Sequence, residues 1–385
     1  MFEEISSKEA KQTLMFIFDA AVDIEMEKDQ TIFVEKVLKH ARRIFEAPAG
    51  SIAFVDGDSL DFLSFQNDEI DTSSISRDQN GDDLRIPLNH RSIAGHVAMT
   101  GELLLVDDPY HVSESVPYKF DGSIDKLSGF KTEAILAIPL RHPTEGIIGA
   151  LEIINPKEEL VHELNLGIAK SFAVMSAVSI INMRLQESLR KAYLETLARL
   201  GYAAEYKDED TFKHIQRIRY SSKILSRELG FSTEEQESIF HASAMHDVGK
   251  VGVPDAILGK NGKLDDDEWV KMKAHSNKGA SILRGSDTEI LKLSEEIALH
   301  HHEKWNGNGY PDGLKGEDIP LAARIVAVAD VFDALVNERP YKNAWPLQDA
   351  LSLIKNEKGE HFDPQVVDAF FNCLDEILEI QKEHQ

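Results

Sequence analysis

Asp330 is the residue that most limits what this chain can become. It stands inside Ile325-Val-Ala-Val-Ala-Asp-Val-Phe332, within a stretch from Ala322 to Val336 that is apolar nearly all round. Such a stretch reads as a helix buried in a domain core. An ionised carboxylate there is costly unless a cation or strong donors compensate. The fold must therefore bring compensation to Asp330, and the histidines show from where. Seven of the fifteen (His214, His241, His246, His275, His300, His301, His302) fall between positions 214 and 302. The chemistry is expected in the second half.

The helices of that half are signposted. Ser232 with Glu235 reads as a capping box opening a helix toward His246. Asp265 with Glu268 opens another, carrying Trp269, Met272 and His275, and a third runs through Ile290, Leu293 and Ile297 to His301. A lone histidine on such a stripe is more often a hydrogen-bonded core residue than a ligand. Several, with carboxylates, on separate helices of one bundle match the way metal sites are built between helices. The pair His246-Asp247 is expected to close an apolar helix. Neighbours on a helix differ by about 100° in direction, so such a pair can address two adjacent ions. Imidazole and carboxylate without thiolate favour iron, manganese, zinc or cobalt. Water or hydroxide bridging two such ions is acidified into a nucleophile, which suits phosphodiester hydrolysis.

Charge and cysteine usage narrow the class. With 42 basic and 67 acidic residues the formal charge is −25, which offers no footprint for a nucleic-acid polymer or an anionic membrane. The single Cys373 excludes a disulfide framework, a Cys-based zinc site and a thiol-linked chromophore in the first half, and fits a reducing compartment. Met1 to Gln12 shows no signal pattern, and the apolar stretch around Phe172 to Ile181 reads as too short to span a bilayer. The expectation is a soluble cytoplasmic protein of two domains.

The first half reads as mixed α/β. Thr13 to Phe45 has helical periodicity, followed by strand-like runs at Ser51 to Val55, Leu103 to Val106, Ala134 to Leu140 and Gly146 to Ile154; Gln66 to Asp83 is polar and loop-like. The run Ser92-Ile-Ala-Gly-His-Val-Ala-Met-Thr-Gly101, with Ala137-Ile-Pro-Leu140 and Ile147-Ile-Gly-Ala-Leu151, resembles a GAF domain over about residues 12–185. That implies an α+β sheet flanked by helices that serves as a small-molecule sensor or a dimerisation module, with the ligand, if any, unidentified. From Glu163 to about Lys207 there is no proline, and Leu185, Leu189, Leu197, Leu200 and Ala204 recur at near-heptad spacing. This connecting helix either pairs with its twin in a homodimer or packs on its own domain. The expected boundaries are 1–184 and 185–385, with the connecting helix over about 163–207.

In the second half, His246-Asp247-Val-Gly-Lys250, His275, His301-His302-Glu303-Lys-Trp305, Gly309-Tyr310-Pro311, Ala329-Asp330-Val-Phe-Asp-Ala-Leu335 and Arg339-Pro-Tyr-Lys342 resemble an HD-GYP domain. The match runs over about residues 197–375. It implies an all-α HD-superfamily bundle that degrades cyclic di-GMP, a bacterial second messenger, to pGpG and GMP. Carried over by position, it implies metal ligands His214, His246, Asp247, His275, His301, His302 and Asp330, with Asp247 bridging two divalent transition-metal ions, iron first and manganese next. Lys250 is implied at the scissile phosphate or the leaving oxygen, against a solvated helix-end lysine. Gly309 and Tyr310 are implied at the substrate, though Tyr310 equally suits packing, and Arg339 and Lys342 at phosphate, against a surface salt bridge. Glu303 is implied to orient a ligand histidine; His241 and His300 read as structural. Two positions depart from the family pattern: Asn306 replaces the usual Asp of Trp-Asp-Gly, and Asp210 replaces the Glu found in three-metal members. Asp210 implies a third ion that is weak or absent. The leading reading is a GAF-regulated, metal-dependent cyclic di-GMP phosphodiesterase. The alternatives are a degenerate cyclic-dinucleotide receptor and a phosphohydrolase of another nucleotide.

Overall fold

A computed structural model describes residues 20, 22–23, 27, 29–70, 84–205, 212–260, 262–338 and 343–384. The chain divides by packing into two compact units, Met1–Ser188 and Leu189–Gln385.

The first unit begins, among the described elements, with helix α1 (Gln30–Ile44). Its N-cap Asp29 accepts the backbone N–H groups of Thr31 and Ile32, which fixes where the helix starts. Strands β1 (Ala49–Asp56), β2 (Ser59–Asn67), β3 (Arg85–Pro87), β4 (Leu104–Val106), β5 (Ile135–His142) and β6 (Gly146–Ile154) form one antiparallel sheet in the order β3-β2-β1-β6-β5-β4. Helix α2 (Ile93–Thr100) is capped by Ser92 and stops at Gly101 in the left-handed region, and α3 (Ser123–Ser128) follows. One sheet face buries Phe54, Ile138 and Leu151 against Phe33, Val37 and Leu38 of α1. The other buries Ala53, Ala137 and Ala150 against Ile93 and Val97 of α2. This is the α+β sheet with helices on both faces expected above. Sequence reading missed β2, although Leu60, Phe62 and Ser64 alternate inward in the required period of two.

Helix α4 (Glu163–Glu205) supplies Ala169, Phe172, Ala173, Ala177 and Ile180 to the first of these cores. Its 18-residue apolar window has a mean hydropathy of 1.6 and is long enough, by length and composition alone, to cross a membrane. That corrects the expectation that the apolar stretch is too short. The leucine row divides as well. Leu185, Leu189 and Leu200 are exposed, while Leu197 and Ala204 are buried with Met245, Val248, Leu283 and Ala298 of the second unit.

The second unit continues with α5 (Phe212–Glu228), α6 (Thr233–Ala242), the short α7 (Asp255–Leu258), α8 (Asp266–Leu283), α9 (Glu289–His300), α10 (Leu321–Val336), α11 (Leu347–Asn356), α12 (Pro364–Asn372) and α13 (Leu374–Glu383). Both expected capping boxes are present, Ser232 with Glu235 and Asp265 with Glu268. The core collects Ile218 and Leu225 of α5, Ile239 of α6, Ile297 of α9, Val328 and Phe332 of α10 and Phe370 of α12. Helix α10 is buried on nearly every side, as its composition requires.

Candidate metal centre

His214 sits on α5, His275 in the middle of α8 and Asp330 on α10, while His301 caps the C-terminus of α9. The pair His246-Asp247 departs from expectation. Helix α6 ends at Ala242, and the pair stands between two 3-10 turns, Ser243–Met245 and Val248–Gly252. The φ and ψ of Asp247 are −105° and 12°, outside the α-helix, so the two side chains diverge by irregular backbone rather than by helical rotation. Gly249 lets this segment lie directly on α8: a Cβ at Gly249 would stand 1.9 Å from the His275 carbonyl oxygen and 2.4 Å from the Gly279 nitrogen.

The imidazoles are oriented from behind. Nδ1 lies 2.9 Å from the Ser243 carbonyl in His246, 2.7 Å from that of Met272 in His275, and 3.0 Å from that of Ile297 in His301. A carbonyl only accepts, so Nδ1 carries the proton and Nε2 of the neutral ring presents its lone pair forward. In His214, Nδ1 meets Asp333 Oδ2 at 2.6 Å, with the same consequence. The forward atoms collect into two groups, Asp247 with His275, His301 and His302, and His214 with His246 and Asp330; within each group all ligand atoms lie within 4.8 Å of one another. Asp247 faces both groups. Its Oδ1 is 3.3 Å from His275 Nε2 and 3.6 Å from His301 Nε2, and its Oδ2 is 3.4 Å from His246 Nε2 and 2.9 Å from Lys250 Nζ. Asp330 Oδ1 is 3.7 Å from His214 Nε2.

Asp247 Oδ1 and His301 Nε2 are buried without a hydrogen-bond partner. Acceptors turned toward acceptors in a buried site repel unless a cation stands between them, and such orphaned atoms carry a desolvation penalty. The residues present therefore fit divalent metal ions. Titration behaviour agrees. Burial raises the Asp247 carboxyl, but Lys250 and His246 outweigh it and hold it well below its ordinary range. Burial lowers His275 and His302, each helped by the neighbouring His301, so both favour the neutral, ligating form. Burial, with the Asp247 and Asp330 carboxylates, raises the Tyr310 phenol and keeps it protonated.

Around the two groups, Tyr310 lies with its ring centroid 4.8 Å from that of His302. A Cβ at Gly309 would fall 2.3 Å from the Lys304 nitrogen, so only glycine lets this loop fold back on itself. Glu303 does not take the histidine-orienting role expected of it. Its Oε1 accepts the backbone N–H groups of Asp312 and Gly313, tying down the loop that carries Tyr310. Asn306 points elsewhere, its amide donating to Glu360 Oε2 at 3.0 Å and its Oδ1 accepting from the Asn308 N–H. An aspartate there would set carboxylate against carboxylate, which gives the departure at Asn306 a local reason. His241 lies against Arg219 and Phe240, and His300 lies 3.4 Å from Asp312, both outside the two groups. Asp210, Arg339 and Lys342 lie outside the described residues. Sequence reasoning missed Asp333, which orients His214. Its signal was a second carboxylate in the same apolar helix, three residues after Asp330.

Residues 31–180 match the family model described as the GAF domain, and residues 201–366 match the one described as the HD domain. The chain is 48% identical over 186 residues to a cyclic di-GMP phosphodiesterase response regulator, RpfG, of Xanthomonas campestris, covering 48% of this chain and 49% of that one. It is 44% identical over 188 residues to a cyclic di-GMP phosphodiesterase of Thermotoga maritima, covering 49% and 51%. It is 38% identical over 224 residues to 3'3'-cGAMP-specific phosphodiesterase 2 of Vibrio cholerae, covering 58% and 43%. The chain thus spans about half the length of the curated relatives it matches.

Proposed function

We infer from a chain that joins a GAF domain to an HD domain that it is a metal-dependent phosphodiesterase, opening cyclic di-GMP to pGpG or GMP under control of its GAF half. One observation carries this reading: two neighbouring groups of buried imidazole and carboxylate acceptors share the two oxygens of Asp247. His275, His301 and His302 would hold one divalent ion, His214, His246 and Asp330 the other, with Asp247 between them. Iron is the first choice and manganese the next, on the imidazole–carboxylate donor set. A third ion is weak or absent, because Asp210 is one methylene shorter than the glutamate it replaces.

When bound, the ions supply Lewis acidity toward a phosphoryl oxygen and make water acidic near neutral pH. The chain's own groups do the rest. Backbone carbonyls lock the imidazoles of His246, His275 and His301 in one tautomer, and the Asp333 carboxylate does so for His214. The Lys250 ammonium, beside Asp247, would neutralise the scissile phosphate and give a proton to the departing ribose oxygen as the phosphorus–oxygen bond breaks. Tyr310, held neutral, offers a hydroxyl and a ring face to the substrate, and Gly309 permits the close approach of backbone. Arg339 and Lys342 complete the phosphate contacts in this reading. The Vibrio relative favours a second substrate, 3'3'-cGAMP, at the same site.

Two measurements test the proposal. Purified protein should contain about two transition-metal ions per chain, and product chromatography should show hydrolysis of one or both cyclic dinucleotides that stringent chelation abolishes. Lys250→Met should lose about 10²–10⁴-fold in rate, the usual span for a positioned proton donor, with metal content unchanged. Less than one ion per chain with full activity would refute the mechanism, and metal loss in Lys250→Met would refute the assignment of that lysine.

The partner of α4 belongs to the same proposal. Exposed Met175, Leu185 and Leu189 follow a near-heptad stripe that a second copy of the helix would cover, making a homodimer. Part of the apolar window is already used by the sheet core, which supports the reading of a cytoplasmic protein whose α4 pairs with a second copy rather than with lipid. Leu185→Glu with Leu189→Glu should halve the mass seen by light scattering; an unchanged mass would locate the interface elsewhere or show a monomer.

A further inference from the structure

His214 has a carboxylate of one helix beyond each of its ring nitrogens, and of these two contacts only the one at Nδ1 is a hydrogen bond. Asp330 lies toward Nε2 at 3.7 Å, and Asp333, one turn further along α10, meets Nδ1 at 2.6 Å. Asp330 is the member of the ligand group, so Asp333 determines how the ring is turned toward it. Asp333 is itself 1% exposed and held from several directions. Arg217 Nε donates to its Oδ1 at 2.6 Å and Nη2 to its Oδ2 at 2.9 Å. Gln381 Nε2 donates to Oδ1 at 3.0 Å, and Asn337 Nδ2 does so at 3.1 Å. Asn337 Nδ2 also reaches Gln381 Oε1 at 2.9 Å, while Arg217 Nη1 donates to the His384 carbonyl at 3.0 Å. Helices α5, α10 and α13 thus meet in one buried network whose only link to the ligand groups, among the described contacts, is the His214 ring.

We propose that Asp333 is the positioning residue of the His214–His246–Asp330 group, and that Gln381 makes helix α13 a working part of that group. Within the ligand set, His214 is supported differently from the other oriented histidines. The imidazoles of His246, His275 and His301 rest on carbonyls of their own local backbone, three or four residues away. That of His214 rests on a side chain 119 residues away in sequence, which is in turn fixed by another 48 residues further on. Local carbonyls persist as long as their helix does, whereas the long-range clasp fails when any one partner moves. Loosening α13 should therefore weaken the group that contains His214 and leave the Asp247–His275–His301–His302 group intact. Removal of partners behind a ligating histidine typically costs about 10–100-fold in metal affinity.

This inference rests on the two-ion reading above but not on any substrate. Full-length apoprotein is titrated with Co²⁺, following the visible d–d bands and competition with a chelator. Wild-type protein should bind two ions in resolvable steps. In Asp333→Asn, one step should weaken about 10–100-fold with altered bands while the other is unchanged. Gln381→Leu should shift the same step by less, and it provides the test if Asp333→Asn fails to fold. Equal weakening of both steps would mean a merely structural network, and an unchanged titration of Gln381→Leu would remove α13 from the site; either overturns the proposal. A wild-type chain that takes up a single ion refutes instead the two-ion reading on which it stands.

Discussion

Asp247→Ala should remove metal from both ligand groups and lower the proposed cyclic di-GMP hydrolysis by about 10³-fold or more, equivalent to roughly 4 kcal/mol of lost transition-state stabilisation. Among the described residues of the two groups, Asp247 is the one whose two oxygens divide between them: Oδ1 looks to His275 and His301, Oδ2 to His246 and Lys250. Removing it withdraws negative charge from between imidazoles and an ammonium, so two cations would then meet with Asp330 as the one carboxylate left in the two groups. Asp247→Asn is the sharper companion. It keeps the volume but turns one acceptor into an N–H₂ donor, which must point at a histidine lone pair or at the Lys250 ammonium. Elemental analysis and steady-state rates on both variants check the expectation. Two ions per chain at wild-type rate in Asp247→Ala would mean that Asp247 is not shared between metals.

Gly249→Ala should be nearly as damaging although it touches no ligand atom. The added methyl would stand 1.9 Å from the His275 carbonyl oxygen and 2.4 Å from the Gly279 nitrogen, both backbone atoms within α8. Neither has a rotamer to escape into, so the Asp247 segment and the His275 helix must separate. Overpacking of this kind costs about 1–3 kcal/mol. Metal–ligand distances tolerate only about ±0.2 Å, and the required separation is far larger. The expected result is a lower unfolding temperature together with loss of metal at the Asp247–His275 group. Gly252→Ala serves as the control, because the three atoms nearest its methyl, Lys278 Cδ at 2.7 Å, Cε at 3.5 Å and Cγ at 3.6 Å, all belong to a side chain that can swing aside. If Gly249→Ala retains both ions at wild-type affinity, the close approach of these two backbones is not what sets the site.

Much of this was legible before any coordinates. A carboxylate inside an apolar helix demands compensation, histidines that prolong apolar stripes mark the same core, and capping boxes locate helix starts; each is a local pattern with a local cause. Hence α8, α9 and α10 fall where expected, and the histidines now grouped are those the sequence resemblance implied. Strand β2 and Asp333 carried local signals that reading passed over; at His246-Asp247 and Glu303 the cause of failure was not local. His246-Asp247 was expected on a helix because its apolar neighbours continue the helical pattern, yet the chain breaks into 3-10 turns so that Gly249 can seat against α8. Glu303 was expected behind a histidine because the resemblance implied it, yet it bonds to backbone nine and ten residues downstream.

The sequence by itself determined the donor types, the helices that carry His275, His301 and Asp330, and the absence of thiolate before Cys373, because these depend on residue identity and short-range periodicity. Only the tertiary structure decided which Asp247 oxygen faces which imidazole, that Asp333 rather than a backbone carbonyl stands behind His214, and that α13 closes the network around it. Those are matters of direction between segments as much as 167 residues apart. A hydrogen bond or coordination bond depends on distances of tenths of an ångström, and residue spacing along a chain carries no information at that scale once the chain has turned back on itself.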